Sequence, residues 1–102
     1  MNLLECVNIS DAGLVHVGKL EKLTDLSLYD CVDITDAGLE YVGKLSNLKD
    51  LYLSGCEITD AGLEHVGKLL QLTELDLEWC EDITDAGVVR LKELLPQITI
   101  TR

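Results

Sequence analysis

The 102-residue sequence has no phenylalanine, one proline, one tryptophan and only 8 basic residues. Without large aromatic plugs, a core must come from Leu, Val and Ile, which dominate the 47% hydrophobic content and suit aliphatic ladders. Eight Lys and Arg against 19 Asp and Glu leave a net charge of −11. That balance speaks against nucleic acid and anionic membrane, since both need basic surface to neutralise phosphate. It favours a basic protein or peptide partner, or simply solubility. The opening residues Met1 to Cys6 contain no basic n-region and no apolar run of secretory length, and no stretch approaches the roughly 18 apolar residues of a membrane span. A soluble, cytoplasmic chain is expected. No G-x-S-x-G, phosphate-binding glycine loop or C-x-x-C spacing is present, and no His stands near a Cys or Ser in the repeat frame. No catalytic, cofactor or metal site is therefore expected, and the chain reads as a non-enzyme.

What is present is one short unit written about four times. Ile34-Thr35-Asp36-Ala37-Gly38-Leu39 returns as Ile58 to Leu63, Ile83 to Val88 and Ile9 to Leu14. A cysteine precedes each copy, and Cys6, Cys31, Cys56 and Cys80 follow one another at steps of 25, 25 and 24 residues. Such a period is structural, and a stack of units escapes the limit on core burial that a globule of this length meets. Equal placement in every unit predicts a ladder of buried thiols rather than two disulfides.

Within a unit, Leu26 and Leu28 alternate with Ser27 and Tyr29, the period of a strand, so each unit supplies one short strand with its leucines inward. Crossovers returning in the same sense stack these strands into a parallel sheet. After the cysteine the period becomes 3.6: Leu39 and Val42, like Leu63 and Val66, share a helical face. Ser10, Thr35, Thr59 and Thr84 read as hydroxyl N-caps followed by an acid in the positive first turn. Gly13, Gly38, Gly62 and Gly87 cost helix propensity, which implies close approach of neighbouring backbone. Gly18, Gly43 and Gly67 are expected to end the helices in left-handed geometry. Repeats are expected at about 1–22 (partial), 23–47, 48–71 and 72–95, in one domain spanning 1–102. Pro96 should stop the last helix, and 96–102 should form a strand cap.

Four copies of L-x-L-x-x-C-x-x-I-T-D-A-G-L, one of them a residue shorter, resemble the cysteine-containing class of leucine-rich repeat. Similar repeats occur in the substrate-recognising half of F-box proteins and in bacterial repeat proteins. The resemblance implies an α/β fold: a right-handed leucine-rich repeat solenoid with short parallel strands on the concave side and short helices on the convex side. It also implies a protein-binding concave surface.

If the leucines point inward, the outward columns read Asp25, Asp50, Glu74, Gln97; then Asn2, Ser27, Tyr52, Asp76, Thr99; then Leu4, Tyr29, Ser54, Glu78, Thr101, with Trp79 one place further on. Tyr29, Tyr52 and Trp79 would gather there with carboxylates, as anchors for an Arg- or Lys-bearing partner. The expected binding residues are Asp25, Ser27, Tyr29, Asp50, Tyr52, Glu74, Asp76, Glu78 and Trp79. Strand positions favour aromatics in any case, and an acidic face can simply be solvated. His16 and His65 lie two repeats apart, about 10 Å at the sheet spacing, too far to share one zinc ion. Two further readings are a structural segment pairing as a homodimer through an uncapped edge at Met1, Leu3, Val7 and Ile9, and a fragment of an F-box-type substrate receptor.

Overall fold

A computed structural model describes residues 10–28 and 33–102. Cys6, Cys31, Tyr29 and the edge residues Met1, Asn2, Leu3, Leu4, Val7 and Ile9 lie outside the described residues. Helices and strands alternate strictly: α1 (Asp11–Val17), β1 (Asp25–Ser27), α2 (Asp36–Val42), β2 (Asp50–Tyr52), α3 (Asp60–Val66), β3 (Glu74–Asp76), α4 (Asp85–Leu94) and β4 (Thr99–Thr101). The strands form one parallel sheet in the order β1-β2-β3-β4, the arrangement of an α/β solenoid. Pairing continues beyond the three-residue strands. Before them, the Thr73 amide donates to Lys49 O at 2.9 Å; after them, the Leu28 amide donates to Tyr52 O at 2.8 Å and the Leu53 amide to Asp76 O at 2.9 Å.

The core is a set of aliphatic columns running the length of the stack. Leu26, Leu51 and Leu75 form one, Leu28, Leu53 and Leu77 a second, and Ile34, Ile58 and Ile83 a third, all buried. Leu14, Leu39, Leu63 and Val88 meet them from the helices. Each buried leucine removes enough apolar surface from water to contribute about 1.5–3 kcal/mol, so the stack needs no aromatic core.

The recurrent Thr-Asp-Ala-Gly is an inter-repeat lock. Asp11 Oδ1 accepts the Thr35 amide at 2.8 Å while its Oδ2 accepts the Thr35 hydroxyl, and Asp36 with Thr59 and Asp60 with Thr84 repeat the pair. The threonine hydroxyls in turn accept from Ala37, Ala61 and Gly87 amides as N-caps. Ser10 holds the N-cap position but makes no side-chain cap bond, contrary to the expectation. The first-turn glycines complete the lock, for a Cβ at Gly38 or Gly62 would overlap the Asp11 or Asp36 carboxylate of the preceding unit.

Gly18, Gly43 and Gly67 correct a second expectation. They end the helices in right-handed geometry, with φ of −62°, −62° and −61°. Glycine is required by proximity instead: a Cβ on Gly18 or Gly43 would sit 2.9 Å from the carbonyl oxygen of Tyr41 or His65 in the next unit.

The cap strand is also shifted by two residues from the expected columns. Thr99 pairs with Glu74 and Thr101 with Asp76, while Ile100, rather than Ile98, continues the Leu26 column. Successive units need equal chain to complete a turn, and the paired residues Asp25, Asp50, Glu74 and Thr99 keep that length at 25, 24 and 25. Gln97 leaves the sheet face and donates through Nε2 to Leu70 O and Leu72 O at 3.1 and 3.0 Å.

Candidate functional site

Two outward columns make up the sheet face: Asp25, Asp50, Glu74, Thr99 and Ser27, Tyr52, Asp76, Thr101. Parallel register brings equivalent residues side by side at about 4.8 Å, so carboxylates separated by a whole repeat become neighbours. Four acids and no Lys or Arg stand at these eight positions. Tyr52 lies half-buried among them and lines a shallow depression with Glu74, Asp76, Thr99 and Thr101. Partial burial of its phenol, followed by the charges of Asp50, Glu74, Asp25 and Asp76, pushes its pKa above the ordinary 10. The phenol therefore stays a neutral donor and acceptor at physiological pH.

The third expected column is not a strand column. Ser54 is buried, because the strand ends at Tyr52 and the chain turns at Gly55, whose φ is 78°. Alternation stops with the strand, so position 54 no longer shares the outward face. Glu78 is half-buried in the equivalent turn, its amide donating to Asp76 Oδ1 at 2.9 Å and its carbonyl accepting from the Gly55 amide. Trp79 follows it on the loop edge, 75% exposed, beside Glu57, Glu81 and Asp82. Ser27 and Asp25 lie on the sheet face with Tyr52, and Tyr29 is outside the described residues.

The cysteines tie this edge to the core. Cys56 Sγ donates to Leu28 O at 2.9 Å and Cys80 Sγ to Leu53 O at 3.1 Å, each reaching the strand end of the preceding unit. Both are buried, and desolvation raises the Cys80 thiol above its ordinary range. A buried neutral thiol that donates to backbone is a packing residue and a poor nucleophile. Among the described residues, no group of three or more His, Cys, Asp or Glu is placed to hold a metal ion. His16 is exposed on α1 and His65 half-buried on α3. No helix among the described residues is long and apolar enough to cross a membrane.

A family model described as Leucine Rich repeat matches residues 19–43, 44–66 and 71–92, three consecutive units of the same strand-and-helix pattern. The chain belongs to the leucine-rich repeat family. No curated protein matches the chain. Leucine-rich repeats are protein–protein interaction modules in general, and the arrangement of this one suits that use: a rigid sheet presenting side chains from several units at fixed spacing. Sequence reading missed the Asp–Thr lock. Its signal was there, in an aspartate two residues before each first-turn glycine and a threonine 23 or 24 residues after Asp11, Asp36 and Asp60.

Proposed function

We propose that this leucine-rich repeat chain is a non-catalytic interaction module whose concave sheet face binds a basic segment of a partner protein. The observation that carries the reading is the composition of the two paired columns: four carboxylates, no base and a half-buried Tyr52 at their centre. Like charges held at strand spacing repel one another, and a partner supplying Arg or Lys relieves that repulsion while the tyrosine ring gives it a surface to pack on. Lys19, Lys44 and Lys68 stand just after the helix ends, and Lys49 is exposed immediately before Asp50 at the start of β2. The buried thiols of Cys56 and Cys80 fit a reducing, intracellular setting.

Affinity selection from a random displayed-peptide library on the immobilised chain tests this. Enriched peptides should carry net positive charge and release as salt rises through the range in which the Debye length falls from about 10 to 3 Å. Enrichment of neutral or acidic peptides that withstand salt would refute the reading.

A further inference from the structure

The turn between β3 and α4 places a tryptophan where the preceding unit has glycine. Gly55 has φ of 78°, and Trp79 takes the same place at 64°, the one positive-φ residue other than glycine among the described residues. A bulky side chain is unfavourable in that region, and burial does not offset it here, since Trp79 is 75% exposed. The indole stands between two depressions. One, of about 360 Å3, is lined by Gly55, Cys56, Glu57, Glu81 and Asp82; the other by Leu77, Cys80, Glu81 and Arg102. Arg102 is already committed, donating to Asp85 Oδ1 at 2.6 Å and to Ile83 O at 2.9 Å. Glu57, Glu81 and Asp82 are exposed and have no ion-pair partner among the described residues.

We propose that this loop-edge groove receives an arginine side chain of the partner protein, its guanidinium stacked on the Trp79 indole and forked towards the carboxylates of Glu57, Glu81 and Asp82. Charge complementarity selects a cation. The exposed aromatic face beside several acceptors selects the planar, weakly hydrated guanidinium over the compact ammonium of lysine. The proposal rests on the protein-binding reading and deepens it, but it uses the loop edge, a surface separate from the sheet-face columns.

The test uses the full chain and the peptide acetyl-Arg-Arg-Arg-amide, with lysine and citrulline counterparts. Binding is followed by fluorescence of the single tryptophan and by backbone amide chemical shifts. A saturable change is expected at Trp79, Glu81 and Asp82, tighter for arginine than for lysine and absent for citrulline. Trp79→Gly should weaken the arginine peptide by about tenfold with an unchanged or higher melting temperature, because glycine suits the backbone there. Glu81→Gln with Asp82→Asn should weaken it in the same direction. Equal affinity for the lysine peptide, or undiminished affinity in Trp79→Gly, overturns the proposal. Shifts confined to Asp50, Tyr52, Glu74 and Asp76 would overturn it while leaving the sheet-face reading in place. Shifts confined to the loop edge would support it and remove the sheet face from the account.

Discussion

The first-turn glycines are positions where two physical effects oppose each other and magnitude decides. Helix propensity alone predicts that Gly62→Ala stabilises the chain by about 1 kcal/mol. A methyl group there would displace the Asp36 carboxylate, which holds the Thr59 amide and hydroxyl, and charge-assisted bonds of that kind are worth about 1.5–3 kcal/mol each. The expected outcome, if both bonds are lost, is a net loss of about 2–5 kcal/mol, read from urea denaturation. In an Asp36→Ala background the same substitution should cost less, because the carboxylate is gone and only Leu39 Cδ1, 2.7 Å from the added methyl, must still shift. Tyr52 gives a pH test. Burial and the surrounding carboxylates raise its pKa in the folded state, so folding holds the proton more tightly than the unfolded chain does. Stability from this group is complete below pH 10 and falls as pH rises through the raised value. The phenolate absorbance of wild type minus that of Tyr52→Phe should titrate with a midpoint above 10, and a midpoint at or below 10 would show that the acids do not surround the ring.

At the scale of the element, each strand–turn–helix unit is fastened to the one before it by a leucine column, an Asp–Thr lock and a thiol. Because Cys80 is buried, raised in pKa and hydrogen-bonded to Leu53 O, its alkylation should require opening of the stack. Mass spectrometry of the Cys80 peptide should show modification rising only across the unfolding transition, while rapid labelling in buffer would contradict the burial. Period-two alternation of Leu26 and Leu28 made the strands legible, and the hydroxyl–acid starts made the helices legible, since both signals are local. The cap-strand register, the buried Ser54 and the right-handed helix ends were not legible, because each depends on a neighbouring unit. Register follows chain length per turn, Ser54 follows the turn at Gly55, and Gly18 and Gly43 follow carbonyls one repeat away. For the site, the acids Asp25, Asp50, Glu74 and Asp76 and the ring of Tyr52 could be placed on one face from strand period alone. The strained, exposed setting of Trp79 could not, although its alignment with Gly55 in the repeat frame was visible.

Across the whole molecule, stacking turns a weak sequence periodicity into a charged surface. An acid at one strand position recurs at strand spacing, so a net charge of −11 is concentrated partly into columns on the sheet face. On the convex face one acid has a partner: Glu64 pairs with Arg90 at 3.2 Å across α3 and α4, an exposed pair of little energetic weight. The most direct measurement compares the affinity of one selected basic peptide for three forms of the chain. These are wild type, the sheet-face double variant Asp50→Lys with Asp76→Lys, and the convex variant Glu64→Lys. If the sheet face is the binding surface, the double variant weakens binding by about tenfold or more, corresponding to about 1.4 kcal/mol, while Glu64→Lys stays within about twofold of wild type. The double variant changes the net charge twice as much as Glu64→Lys, so a loss from Glu64→Lys about half as large in free energy, or larger, would mean that the peptide answers to net charge alone and would contradict the account.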